Sequence, residues 1–432
     1  MAAIAQASAS QTSAGWDLVE PAGATRAGAS QEPLLVGAAK RSITPTVRGR
    51  RVYMAGHARG RLATEIHDEL WVRAIALRYR EVTLVLVSLD LLGLFHEYVE
   101  SIRGMVAAAG IPADGLIVTC TGNHSGPDTL GLWGKGLPGL GLNVRYLDFL
   151  RTQIVQVIGL AVAAMEPAQA HMACAELAGH AGDVDAAETA VVQFRTITGK
   201  NLATVIEGSL VPQVLEAANT IISADFLNWL YLDLEHTSND VIMYVCDGTA
   251  DPALSLVRER SWGEAERIGY KLASMVDHAV QDAPPIAVDH LAVWRRPIAI
   301  PPDRGRLARP GNAGGRPVGE WHRESEVSLV ELGPIRMLAL PGLVTPDMGF
   351  ELRKALDAPC RWLLCLSNDN LGTIRLEQEL SWGQGLLSSR RRPTRGGTVP
   401  CVRVGSHLGT IVMDRVVDLM VEVRGSQAVV AR

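Results

Sequence analysis

The chain lacks most of the features by which a sequence declares its function. It has no excess of positive charge: 41 Lys and Arg face 46 Asp and Glu, for a net charge of -5 at pH 7. A field able to hold nucleic acid or an anionic membrane is therefore excluded. One basic run, "SSRRRPTRGG" at 388–397, reads as a solvated loop. The six cysteines have no CxxC spacing, and several lie in apolar runs such as "VTC" and "WLLC". They read as buried, reduced thiols, as expected of a cytoplasmic protein. The N-terminus has no basic start followed by an apolar block, so it reads as neither signal peptide nor anchor. Residues 1–33, rich in Ala, Ser, Gly and Gln, read as a disordered tail. The run "TQIVQVIGLAVAAM" is too short to cross a bilayer. No P-loop, GxSxG elbow or HExxH occurs, so P-loop nucleotide binding and the familiar hydrolase chemistries lose their usual support.

What is present is alternation. "TLVLVSLDLL", "GLIVTC", "DVIMYVCDG" and "RWLLCLSND" are continuous apolar runs, as strands covered on both faces require. "HEYVESIRGMVAAAG", "VRYLDFLRTQIVQVIGLAVAAM", "ERSWGEAERIGYKLASMVDHAV", "DMGFELRKAL" and "GTIVMDRVVDLMVEV" read as helices. "SADFLNWLYLDLEH" reads as another, with Ser223 as N-cap. Hairpins are expected at "TGK" and around "GP". This is an α/β chain with a mixed sheet flanked by helices, and one domain is expected over 34–432.

Ligands of open α/β sheets bind beyond the carboxyl ends of strands. Here several such ends are polar: Asp90; Asn123, His124, Ser125 and Asp128; Asp247, Thr249 and Asp251; Asn368, Asp369 and Asn370. The stretch "GHARGRLATEIHDEL" adds His57, Arg59, His67 and Asp68. His124 stands out, because it follows a buried strand and precedes the Gly/Leu/Trp loop "LGLWGKGLPGLGLN". That loop is expected to be a lid, with Trp133 facing the ligand. The second Gly/Pro-rich segment, 301–321, reads equally as a lid or a surface excursion.

The strings "VGAAKRSITP", "EIHDELWVRAIAL", "VLVSLDLLGL", "NHSGPDTLGLWG", "NTIISADF", "LALPG" and "SNDNLG" together resemble the N-terminal catalytic domain of the neutral/alkaline ceramidases. The resemblance implies that domain's fold. It also implies a zinc amidase acting on the N-acyl bond of ceramide, its metal held by two His, a Glu and a Tyr. Aligned through those strings, the four ligand positions are Gly122, Val211, Leu343 and Thr373. None supplies an imidazole or carboxylate, so the expectation is a lost zinc site, with no metal and no cofactor. The family's "GDVSPN"-like nucleophile stretch is replaced by "CDGTADPALS".

The resulting expectation is a metal-independent enzyme of specialised metabolism. His124, with Asp128 and Asp247, would give acid/base assistance to a cyclisation, isomerisation or elimination. Asn123, Ser125, Trp133, His57, Arg59, Thr249, Asn370, Val211, Leu343 and Thr373 would line an apolar pocket for a lipid-like or polyketide-like small molecule. A metal-independent amide or ester hydrolase or acyltransferase is the second reading, and a non-catalytic binding subunit the third. No nucleic-acid partner or membrane insertion is expected, and homo-oligomerisation is left open.

Overall fold

The computed structural model describes residues 32–135, 141–177, 187–238, 240–248, 257–300, 324–376 and 407–430. The tail to residue 31, the middle of the first Gly/Pro-rich loop at 136–140, the second Gly/Pro-rich segment at 301–321 and the basic run at 388–397 lie outside them. Residues 32–432 form one compact unit.

The chain runs β1 (Leu34–Ser42), β2 (Glu65–Ile66), β3 (Trp71–Tyr79), β4 (Val82–Leu89), α1 (His96–Ala108), β5 (Gly115–Cys120), α2 (Val144–Ala163), β6 (Glu166–Leu177), β7 (Ala187–Thr196) and β8 (Asn201–Gly208). It continues through β9 (Ile221–Ile222), α3 (Leu227–Ser238), β10 (Val241–Cys246), α4 (Trp262–Gln281), β11 (Pro285–Ile286), β12 (Leu291–Ala299), β13 (Glu324–Leu332) and β14 (Ile335–Ala339). Then come β15 (Leu343–Val344), α5 (Pro346–Leu356), β16 (Cys360–Leu364), β17 (Thr373–Ile374) and α6 (Leu408–Val430).

The main sheet has the order β10-β8-β7-β6-β1-β3-β4-β5, with β11 added to β6. It is mixed, since β5 and β10 pair in parallel with β4 and β8 while the other neighbours are antiparallel. A second sheet, β12-β13-β14-β16, lies against it. Alternation along the strands explains the layering. Ile75, Leu77, Leu84 and Leu86 share a core with Val330, Leu332, Met337 and Trp362, so the two sheets stack face to face. Val72, Ala74, Val85 and Val87 point the other way, onto α1 to α4. Val327, Leu329 and Leu338 on the outer face of the small sheet meet α5 and α6. Apolar runs buried on both faces were thus read correctly. One face, however, is covered by a second sheet rather than by helices.

The hairpin at "TGK" turns at Gly199, whose φ of 86° suits glycine, and β13 and β14 turn at Gly333. Ser261 caps α4 by accepting from Glu264 N at 3.1 Å. Ser223 does not cap α3: the helix starts at Leu227, and Ser223 Oγ donates to Asp68 instead. Cys120, Cys246, Cys360 and Cys365 are buried, whereas Cys174 is exposed. The helix α2 is long and apolar enough to cross a membrane by length and composition, contrary to the reading of its apolar run. Its face of Leu150, Ile154, Val157 and Ile158 is fully buried in the core beside β1 and β3.

Candidate functional site

The turn after β5 is built by its own polar side chains. Thr121 N bonds Leu89 O, and Gly122 N and Asn123 N both bond Leu91 O, which bends the chain out of the sheet. Asn123 is fully buried; its amide donates to Asp90 O at 3.1 Å and Ser223 O at 2.8 Å, and its oxygen accepts from Ser125 N. Ser125 Oγ accepts from Asn219. Asp128 accepts from the backbone N–H of Leu130, Gly131 and Trp133 at 2.7–3.0 Å, folding the Gly/Leu/Trp loop around its carboxylate. Asn370 likewise bonds Leu92 O and Gly372 N. These side chains position the turn, each bonded to groups of the chain itself.

Asp247 lies apart from His124. Its carboxylate is 2.8 Å from Arg353, which also bonds Glu207 at 2.9 Å. Burial pushes the Glu207 carboxyl up to about 7, against the pull of Arg353. The expected trio of His124, Asp128 and Asp247 is therefore not assembled: both carboxylates serve other partners, and neither touches His124. His67 and Asp68 pair with each other at 2.8 Å, with His67 stacked on Trp262. Arg59 is exposed, and Thr249 and Asp251 lie outside the described residues.

What remains around His124 is a second histidine. The rings of His57 and His124 meet edge-to-face with centroids 5.0 Å apart. His124 N bonds Pro212 O at 2.9 Å, and its carbonyl accepts from Arg61 at 2.7 Å. Gly56, at φ 98°, lies under the ring; a Cβ there would stand 2.5 Å from His124 Cγ. Trp133 is buried, and its indole N–H donates to His57 O at 2.8 Å. It therefore braces the histidine pair from behind, with Leu130, Leu132 and Ala55.

Both imidazoles are held neutral. Burial pushes His124 down to about 3, reinforced by His57, Arg61 and Arg260. The same cause takes His57 to about 4, again with Arg61 and Arg260 adding to it. His57 Nε2, His124 Nδ1 and Arg61 Nε are buried and have no partner among the described residues. No carboxylate or backbone group among the described residues bonds His124 Nδ1 to set its tautomer. Neutral imidazoles aimed at no protein group can donate N–H to a substrate oxygen.

Sequence reading named His57 and His124 but missed Arg61 and Gly56. "GHARGRL" offers two arginines, and local pattern does not separate the exposed Arg59 from the buried Arg61. Gly56 carried a weak signal, since a glycine beside a candidate histidine can mark a close approach.

The four positions assigned to zinc were tested against their surroundings. A Cβ on Gly122 would lie 3.0 Å from Val211 Cγ1 and 3.2 Å from Leu366 Cδ1. Leu343 pairs with Thr373 in the short parallel ladder of β15 and β17, and Thr373 is exposed. A Cβ on Gly248 would lie 3.1 Å from Leu343 Cδ2. The place is hydrocarbon, with Val211 and Leu366 in the core, and the donor set does not fit zinc. Val211 packs into the core here rather than enlarging a pocket.

No protein-family model and no curated protein matches the sequence. Solved structures do match. A neutral ceramidase from Pseudomonas aeruginosa superposes with a TM-score of 0.73 at 18% identity, over 91% of this chain and 75% of that one. A ceramidase complexed with C2 gives 0.72 at 18% identity, over 91% and 76%. The scaffold is the neutral ceramidase fold, at the divergence that the scattered motifs implied.

Proposed function

We propose that this chain is a metal-independent enzyme on a ceramidase scaffold, in which His57 and His124 polarise a carbonyl of a small, largely apolar substrate. The observation that carries this is the pair of neutral imidazoles whose buried Nε2 and Nδ1 have no protein partner. A neutral imidazole is a weak base when its pKa is this low, but its N–H is a good donor to an oxygen that gains negative charge. The positive field of Arg61 and Arg260 favours the same charge. Charge developing on a carbonyl oxygen is the common first event of isomerisations, eliminations and many cyclisations. These remain the reaction classes proposed, for a lipid-like or polyketide-like substrate in the cytoplasm. This moves His124 from general acid/base to electrophilic N–H donor.

Hydrolysis or acyl transfer is the second reading, favoured by the fold of the ceramidases alone. It lacks an activated nucleophile among the described residues: Ser125 Oγ bonds Asn219 and not His124. The test is exchange of α-protons. Chelator-treated protein is incubated in deuterium oxide with a panel of long-chain ketones and 3-oxo esters, and mass spectrometry follows label uptake. Uptake that His124→Ala abolishes supports the reading. Absence of uptake across the panel, with cleavage of an ester or amide by the same preparation, replaces it with the hydrolase.

A further inference from the structure

Arg61 is a buried cation without a counter-ion. Only 8% of it is exposed. Its guanidinium donates to three backbone carbonyls, those of Asn219, Ala55 and His124, and its Nε has no partner. No carboxylate among the described residues pairs with it. The described charges that bear on both His57 and His124 are Arg61 and Arg260, and both are positive. Arg260 is exposed and donates to Gln213 O, one residue from the Pro212 carbonyl that holds His124. Lys135 adds a third cationic chain at the rim, its stem lying over Gly60, whose absent Cβ leaves it room. A buried charge is ordinarily paired, because the loss of hydration is otherwise uncompensated. Carbonyl dipoles offset part of that cost, and a partial charge on a ketone oxygen offsets little more.

We infer that the substrate is an acid: its oxyanion, a carboxylate or phosphate on a hydrocarbon chain, sits between His57, His124 and Arg61 beside the reacting carbonyl. This rests on the carbonyl-polarising reading above and names its substrate class. Three features converge on the assignment. The guanidinium supplies full opposite charge. The two imidazole nitrogens, unpartnered among the described residues, supply N–H groups in the tautomers that carry hydrogen on His57 Nε2 and His124 Nδ1. The neighbouring interior, where Val211 and Leu366 pack beside the Gly122 backbone, is hydrocarbon, matching an apolar chain on the acid. The arrangement also explains the absence of a carboxylate partner for either histidine, since such a partner would repel the ligand.

The test is calorimetric titration of the whole protein with octanoate, octyl phosphate and the neutral isostere octanamide, at low and at high salt. The expected result is an anion bound at least about tenfold more tightly than octanamide, a preference that shrinks with salt. Octanoate above octyl phosphate identifies a carboxylate site, and the reverse order a phosphate site. Arg260→Gln, at an exposed position, weakens the anion severalfold and leaves octanamide unchanged. Arg61→Gln, where it folds, removes the preference. Equal affinity for octanamide and both anions overturns the inference, as does an anion preference that survives both substitutions. Deuterium uptake by neutral ketones without any anion preference overturns this inference and leaves the carbonyl reading standing. Anion preference without uptake does the opposite.

Discussion

Among the described residues, two arginines, Arg61 and Arg73, are buried, in two unlike settings. Arg73, on β3, is 1% exposed and lies between Asp90 at 3.2 Å and Glu235 at 3.4 Å, with its guanidinium 3.5 Å from the centre of the Tyr231 ring. Those partners raise its pKa against the effect of burial. Arg61, nearly as buried, bonds only carbonyls, and burial lowers it to about 10. The first region is closed: each charge has its complement within the protein. The second is open, and the surplus charge and the unpaired ring nitrogens occur together. The Nε of both arginines lacks a partner among the described residues, so compensation of charge is what separates them: a neutralised buried cation holds the fold, while an uncompensated one is the place proposed for an anion.

That contrast can be broken at several points. The largest effect is expected from Arg73→Met, which leaves the buried Asp90 without its cation while Glu235 keeps Lys40. Unfolding in urea should show a loss of about 3–5 kcal/mol, the range for breaking a buried pair. His124→Ala should leave the urea midpoint nearly unchanged but lower turnover by about a hundredfold, or about 2.7 kcal/mol of barrier. An unchanged rate in that folded variant removes His124 from the chemistry. Gly56→Ala sits between the two kinds of effect. The new methyl overlaps the His124 ring and occupies a positive φ, so a stability loss of about 1–3 kcal/mol should accompany loss of turnover.

A smaller effect concerns pH. Both imidazoles are lowered in the folded state, to about 4 and about 3. The unfolded chain takes up those protons first, from about pH 6.5 downward, so this contribution is complete above that value and is lost as pH falls toward the folded values. Glu207 and Asp90, raised to about 7 and about 6, act in the opposite sense, because the folded state holds their protons more tightly. The two trends are separable by His124→Gln. The stability lost between about pH 7 and about pH 5 should shrink in that variant by about 1–2 kcal/mol. A pH profile unchanged by the substitution would show that the ring is not held neutral. The smallest effect is expected from chelation. Prolonged treatment should alter neither activity nor stability, and elemental analysis should find no stoichiometric zinc. About one zinc per chain, lost together with activity, would show that the ligand positions were misaligned.

Much of the architecture was legible from local pattern. Continuous apolar runs gave β4, β5, β10 and β16, three-and-four spacing gave α1, α2 and α4, and "TGK" and "GP" gave the hairpins. These signals are local because a strand or helix exposes its periodicity along a few residues. The stacking of two sheets was not legible, because an apolar strand face reads the same whether a helix or another sheet covers it. The polar strand ends were visible as a group, but their division into scaffold and site was not. Asn123, Ser125, Asp128 and Asn370 were read as ligand-facing and proved to be bonded to the chain itself.

The sequence alone settled the identities of the side chains and hence what chemistry is withheld: Gly122, Val211, Leu343 and Thr373 carry no zinc-binding imidazole or carboxylate in any fold. Tertiary structure alone decided which polar atoms are left over. Asn123 is satisfied by Ser223, 100 residues away, whereas Arg61 is held by the carbonyl of Asn219, 158 residues away, with its charge uncompensated. Hydrogen-bonding capacity is used up by partners brought close in space, at distances along the chain that carry no local signal. His57 and His124 are the proposed site because those distant partners were found by their neighbours and not by their ring nitrogens.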